Sequence, residues 1–250
     1  MARGKGLSSK SRKDLRGSLV SFWRWCQREG IAGNDPVTVA ERLPNPKLGN
    51  NTRRVLEPKE LEAIFGHILP EWRAWAVLGA FAGLRPEEIA PKKHKVDGKR
   101  GIRCEEIDWK FSVIRLPAEV AKGGKRPRII PLSEACKAGL RWAGIDETGQ
   151  GPVCLRNPSQ EKELERLGKL LFGGDWPQDA LRHSYGSYRN AALRNLPQVA
   201  EEMGNSVEML NKHYHNPRTE AEGEAWFAWR PEPAKCGSNA DRKTLVAANQ

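Results

Sequence analysis

Apolar residues recur at three- and four-residue spacing through most of this chain, and one short region breaks the habit. There, Ile107 to Leu116 and Arg128 to Leu132 read as short strands, with Lys122-Gly123-Gly124-Lys125 as the turn between the second and third strands of a small sheet. Helical periodicity elsewhere, with one hairpin-bearing interruption, predicts a mainly α fold with a small antiparallel β-sheet. A length of 250 residues suits one large domain, or one domain with a smaller companion, and 38% apolar content can furnish a core.

The first periodic segment spans residues 11–29. Leu15, Leu19, Phe22, Trp23 and Cys26 form its apolar stripe, Arg12, Lys13, Arg16, Arg24 and Arg28 lie largely off it, and Gly30 stops it. One helix cannot bury its own stripe, so this segment requires a packing partner. Residues 31–54, with Asp35-Pro36, Asn45-Pro46 and Gly49-Asn50-Asn51, read as a linker. A second block opens at Leu56-Glu57-Pro58, where proline and acidic residues suit a helix start and Leu61, Ile64, Phe65 and Ile68 form the inner face. Another helix is predicted at 71–82, ended by Gly83, and further ones at 133–143, 159–172, 179–193, 196–203 and 206–213. Residues 221–230 carry Ala225, Trp226 and Trp229 in a short apolar helix that either docks on a neighbouring protomer or covers its own domain. The composition of 231–250 predicts a disordered tail.

The formal charge is +11, and it is uneven: residues 1–54 hold twelve Lys/Arg against four Asp/Glu, an excess of +8. Such a surface suits a polyanion, nucleic acid above all, or else simply aids solubility. The five cysteines are scattered without a C-x-x-C pair, which argues against a disulfide framework and a structural zinc site and for reduced thiols in a cytoplasmic protein. No stretch approaches the ~18 apolar residues of a membrane span, and the N-terminus lacks the apolar core of a signal peptide. No P-loop, G-x-G-x-x-G or metal-ligand spacing is present, so neither metal nor small-molecule cofactor is expected.

Chemistry-bearing residues concentrate in four places. Arg85 follows a glycine turn in Gly83-Leu84-Arg85-Pro86-Glu87-Glu88, and its guanidinium can grip two phosphate oxygens while Glu88, one turn on, holds its rotamer. Lys122 and Lys125 occupy the hairpin turn, with Arg126 beside them. Asp179-Ala180-Leu181-Arg182-His183 supplies a second arginine, and Met203-Gly204-Asn205 is followed by His213-Tyr214-His215. A phosphoryl transfer to a protein hydroxyl needs a nucleophile, cationic donors and an acid for the leaving oxygen. Tyr214, the two arginines and a hairpin lysine offer one candidate for each.

In order and spacing these segments resemble the catalytic domain of the tyrosine recombinases, the phage-integrase family of DNA breaking-rejoining enzymes, over residues 55–230. The resemblance implies that Arg85 and Arg182 clamp the scissile phosphate, that Lys122 is the general acid (with Lys125 its rival), and that His183 is mainly structural. It implies that Tyr214, nine residues after Asn205, is the nucleophile; Tyr185 and Tyr188 are the other tyrosines at hand. Two positions depart from the family pattern. Asp179 stands where the family has the first histidine of His-x-Leu-Arg-His, and it either accepts the proton of Tyr214 as a base or repels the phosphate. Asn205 stands where the family has His or Trp, and its amide still offers donors to a phosphate oxygen.

Residues 1–54 resemble the last helix and linker of the family's core-binding domain, with Lys10, Arg12, Lys13 and Arg16, together with Lys125 and Arg126, expected to meet DNA. The resemblance implies a site-specific recombinase of a mobile element, acting on double-stranded DNA through a 3′-phosphotyrosine and assembling as a homotetramer in the cytoplasm. Three alternatives stay open: a truncated, catalytically impaired integrase that only binds DNA, a type IB topoisomerase, and an unrelated basic DNA-binding protein.

Overall fold

The computed structural model describes residues 7–46, 54–91, 100–124, 126–154, 159–213 and 218–231. Lys125, Tyr214 and the tail from residue 232 onward lie outside them. The chain forms two compact units, Met1–Thr52 and Arg53–Gln250.

In the first unit, α1 (Ser9–Arg28) starts where the Ser8 hydroxyl accepts the Ser11 N–H, and Gly30 takes a left-handed conformation (φ 71°) just past its end. The stretch read from sequence as a linker contains a helical turn, α2 (Val39–Arg42). Thr38 caps it and Glu41 returns to the Thr38 N–H, a reciprocal arrangement legible in Thr38-x-x-Glu41. This return of the chain packs on α1, which corrects the expected stripe. Cys26 and Gln27 are buried, whereas Leu15, Leu19 and Phe22 remain exposed. Gln27 donates to the carbonyls of Gly33 and Asp35, and Arg16 donates to those of Leu43 and Glu41.

The second unit is built around α4 (Arg73–Ala82). Every residue from Ala74 to Ala82 is buried, as expected of a helix that is apolar on all sides and therefore central. A 3-10 turn at Pro70–Trp72 leads into it from α3 (Pro58–His67), whose Leu61, Ile64 and Phe65 face the core. After Gly83 comes α5 (Pro86–Ile89), then the sheet of β1 (Ile107–Asp108), β2 (Val113–Leu116) and β3 (Arg128–Pro131). The strands are antiparallel in the order β1-β2-β3, with Ile114 opposite both Ile107 and Ile130. Ile114, Leu116 and Ile130 point inward; Arg128 points inward too, and Ile129 outward.

Next follow α6 (Glu134–Trp142), α7 (Ser159–Phe172), α8 (Ala180–Leu193), α9 (Leu196–Met203), α10 (Val207–His213) and α11 (Glu220–Phe227). Both α6 and α8 pack on α4, α9 reaches β3, and α11 lies on α8. Trp226 of α11 is buried, stacks on Tyr188 at 4.3 Å between centroids, and donates from Nε1 to the Ala80 carbonyl at 3.0 Å. Trp229 packs on Phe65 and Phe81. Both tryptophans of the C-terminal segment thus cover their own domain, deciding one of the alternatives the sequence left open. The four described cysteines are free and buried, and burial pushes the thiols of Cys136 and Cys154 up to about 12. Among the described residues, no helix is long and apolar enough to cross a membrane, and no cluster of three or more His, Cys, Asp or Glu gathers as metal ligands would.

Candidate active site

A cleft of about 640 Å³ is lined by Arg85, Glu88, Lys122, Asp179, Arg182, His183 and Asn205, brought together from four separate segments. Arg85 sits at the N-terminal boundary of α5, immediately after the turn that ends α4. That turn needs Gly83: it holds φ 61°, and a Cβ there would run into the ring of Tyr185. The freed Gly83 carbonyl accepts a hydrogen bond from Arg182 Nη1, so the turn that places one arginine also anchors the other.

The two guanidiniums meet at one atom. Arg85 Nη2 donates to Asn205 Oδ1 at 2.6 Å and Arg182 Nη2 donates to the same oxygen at 3.3 Å. Guanidiniums have only donors, so the amide atom between them must be the oxygen, and the amide nitrogen points away. Backbone carbonyls complete the grip: Met203 O accepts from Arg182 Nη2 at 2.6 Å, and Gly204 O accepts from Arg85 Nη2 at 3.2 Å. Arg182 is buried and Arg85 partly exposed, so the pair forms a fixed cationic floor with one accessible edge.

Beneath Arg85 lies Glu88, 1% exposed. Its carboxylate accepts from the Arg85 N–H at 2.9 Å, from Arg85 Nη1 at 3.1 Å and from the Lys122 backbone N–H at 3.3 Å. A third arginine, Arg128 of β3, grips it with a fork, Nη1 to Oε1 at 3.1 Å and Nη2 to Oε2 at 2.6 Å. Burial alone would raise this carboxyl, but the Arg128 fork and charge, the Arg85 N–H and the charge of Arg182 hold it below the usual range. Arg128 also donates from Nε to the Glu202 carbonyl at 3.0 Å and lies against Gly204, whose φ of 60° suits glycine. Sequence reasoning missed Arg128; the only local signal is a charged residue opening a strand of otherwise apolar residues.

The remaining expected residues fall as follows. Lys122 is exposed at the cleft, on a hairpin whose backbone is tied to Glu88. Asp179 takes a left-handed backbone (φ 56°) before α8, its carbonyl accepting the His183 N–H at 2.8 Å. His183 is buried. Glu87 and Glu161 add carboxylates to the rim, and Arg100 adds a cation. Met209 of α10 lines the same cleft, and α10 ends at His213, immediately before Tyr214. Tyr185 and Tyr188, the other tyrosines weighed, are each 1% exposed. Tyr185 donates to Glu202 at 2.7 Å and Tyr188 to the Leu56 carbonyl at 3.0 Å. Burial and then the Glu202 charge push the Tyr185 phenol well up, and burial pushes Tyr188 up to about 12. In the first unit, Lys10, Arg12 and Lys13 are exposed, whereas Arg16 is turned onto its own unit's carbonyls. Arg126 is exposed on the hairpin.

The unit is mainly helical with a three-stranded antiparallel sheet, and two arginines floor its cleft. No family model matches the chain. Tyrosine recombinase XerC of Pseudomonas entomophila is 25% identical over 218 residues, covering 80% of this chain and 67% of the relative, and XerC of Pseudomonas putida is 25% identical over 219 residues, covering 81% and 68%. Among solved structures, the Tn1549 transposon integrase in complex with circular intermediate DNA superposes with a TM-score of 0.57 at 20% identity, over 88% of this chain and 80% of that one. XerH recombinase bound to a palindromic difH substrate gives 0.57 at 17% identity, over 88% and 67%. The structural likeness establishes the fold, and in sequence the chain is similar to tyrosine recombinases.

Proposed function

We propose that the protein cleaves and rejoins double-stranded DNA site-specifically, with Tyr214 as nucleophile. The observation that carries this is the convergence of Arg85 and Arg182 on a single oxygen, in a cleft that Lys122 also lines. An oxygen held between two fixed guanidiniums marks where a phosphate oxygen gains most from them. The phenolic oxygen of Tyr214 attacks phosphorus and the bond from phosphorus to the 5′ oxygen breaks, leaving a 3′-phosphotyrosine. The phenolic proton passes to the Asp179 carboxylate, and Lys122 gives a proton to the departing 5′ oxygen, which becomes a hydroxyl. Attack by a 5′ hydroxyl of another strand reverses the step and releases the tyrosine. Exchange between two duplexes calls for several protomers, and a homotetramer acting on a mobile element's DNA in the cytoplasm fits this chemistry. A phosphate oxygen takes the place of Asn205 Oδ1 between the arginines, and the released amide turns its nitrogen to the phosphate as a further donor.

A second reading, binding without cleavage, draws on the carboxylates of Glu87, Asp179 and Glu161 at the cleft, which disfavour an approaching phosphate. One experiment separates the two. A pool of nicked duplexes with randomised central sequence is incubated with protein, and adducts that survive denaturation are collected. The wild type forms such adducts and Tyr214→Phe forms none, because only the phenolic oxygen is removed. Duplex binding without any wild-type adduct would favour the binding-only reading, and an adduct persisting in Tyr214→Phe would overturn the choice of nucleophile.

A further inference from the structure

Arg128 touches both the Arg85 turn and the turn of Asn205 yet does not line the cleft. It sits on β3, directly after the hairpin that bears Lys122. Its fork holds Glu88, the carboxylate that docks both the Arg85 N–H and the Lys122 N–H. Its Nε holds the Glu202 carbonyl, next to the Met203 and Gly204 carbonyls that grip Arg182 and Arg85. Glu202 is itself buried and fixed by Tyr185, Arg189 and Gln198. One guanidinium therefore joins the hairpin, the Arg85 turn and the turn of Asn205. All three bonds arise from a side chain that is 6% exposed.

The charges around it add a second consequence. Glu88 faces three guanidiniums: Arg85 at 3.1 Å, Arg128 through its fork, and Arg182 through its charge. Were Arg85 the sole partner of this carboxylate, the pair would be neutral and would offer little to an anion. With Arg128 supplying a counter-charge, the group of Arg85, Glu88 and Arg128 carries a net positive charge toward a phosphate while Arg85 is still held by Glu88. Lysine cannot replace this arrangement, because its three donors sit on one nitrogen and cannot both form the planar fork on Glu88 and reach the Glu202 carbonyl.

We propose that Arg128 is a positioning residue for DNA cleavage: it clamps Glu88 so that the Lys122 hairpin is held in register with the arginine floor, and it keeps the group around Glu88 net positive. This rests on the proposed role of Lys122 as the acid for the leaving oxygen. The strongest consequence is a defect that depends on the leaving group. A duplex whose scissile phosphate carries sulfur at the 5′ bridging position releases a thiolate, which needs no proton from the protein. A defect arising from a misplaced Lys122 shrinks on that substrate; a general loss of folding or of the clamp does not.

The test compares oxygen- and sulfur-bridged versions of a nicked duplex recovered from the randomised pool, using full-length protein. Lys122→Ala serves as the reference. Arg128→Lys is expected to slow adduct formation at least about tenfold on the oxygen substrate and several-fold less on the sulfur substrate, following the pattern of Lys122→Ala. Its duplex affinity at fixed salt stays within about twofold, since Arg128 is buried away from the surface that meets DNA. Where Arg128→Lys fails to melt cooperatively, the double variant Arg128→Met with Glu88→Gln removes both buried charges at similar volume, and the same comparison is read on it. Equal defects on the two substrates, or no defect on either, would overturn the positioning role. A wild type that forms no adduct on either substrate overturns the proposed function itself, and a Lys122→Ala defect insensitive to sulfur overturns the acid assignment. These outcomes are distinct from failure at Arg128.

Discussion

Glu41 and Glu88 occupy the same place in two nearly identical local motifs. Each is the third residue of a four-residue helix, Val39–Arg42 or Pro86–Ile89, and each accepts the N–H of the residue that caps it, at 2.7 Å and 2.9 Å. Each is also gripped by an arginine from elsewhere. Arg24 reaches Glu41 through a single nitrogen that contacts both carboxylate oxygens, at 3.0 and 2.8 Å, while Arg128 reaches Glu88 through a two-nitrogen fork. The difference is the medium. The Arg24–Glu41 pair is 40% and 29% exposed, the Arg128–Glu88 pair 6% and 1%. Local sequence sets the helix start in both cases, but only the buried pair can hold other elements in place, because only there is loss of a partner costly.

The sharpest way to break this comparison is to neutralise each carboxylate in turn. Glu88→Gln leaves Arg128 buried without its counter-charge and is expected to cost about 3–5 kcal/mol at neutral pH. Glu41→Gln is expected to change stability little. The pH dependence sharpens the contrast. Glu88 is held below its ordinary value of 4.5 in the folded state, so its contribution is fully present above about 4.5 and is lost as pH falls through the lower folded value. Below that range the wild-type carboxyl is protonated as well, so the stabilities of wild type and Glu88→Gln should converge. Thermal melts between pH 7 and 3 measure this. A gap of constant size across that range would mean that Glu88 acts through shape rather than charge.

These two motifs also show what sequence alone can and cannot convey. Apart from the four-residue α5, the helices from α3 to α11 follow from periodicity and from stops such as Gly83, and their bounds differ from expectation by only a few residues. The Thr38-x-x-Glu41 pattern was readable as a helix start, yet the prolines on either side made the segment look like a linker. Arg128 was not legible. In Arg128-Ile129-Ile130 simple polarity puts the arginine outward and the isoleucines in, but the structure buries Arg128 with Ile130 and exposes Ile129. The reason is Glu88, 40 residues earlier in the chain, whose position is a tertiary fact. The inward turn of Arg16 was hidden in the same way, since a helical period does not reveal which chain segment folds back over it.

A second contrast lies between arginines that are fixed and arginines that are free. Arg182 has both terminal nitrogens on protein oxygens and its floor is built before any phosphate arrives. Such preorganised donors act on the transition state, so Arg182→Ala is expected to reduce the rate of adduct formation about 10²–10³-fold at saturating duplex. Affinity should change far less. Single-turnover rates measured beside equilibrium binding decide the matter: a variant that binds weakly but reacts at the wild-type rate once saturated would assign Arg182 to DNA capture instead of catalysis.

The smallest effect is expected on α1, where Lys13 and Arg16 lie one turn apart and carry the same charge. Lys13 is exposed, and Arg16 spends Nε on the Leu43 carbonyl at 2.9 Å and Nη2 on the Glu41 carbonyl at 2.8 Å. A lysine that contacts a phosphate displaces condensed counterions, so Lys13→Ala should lower the magnitude of the salt slope of duplex binding by about 0.9. Arg16→Ala should leave that slope unchanged and instead weaken the first unit by about 1 kcal/mol, the net worth of an intramolecular hydrogen bond or two. Binding measured across a salt series, with melting followed in parallel, reads both. If Arg16→Ala shifts the slope as Lys13→Ala does, its carbonyl partners release it on DNA, and the distinction between fixed and free arginines would hold only at the cleft.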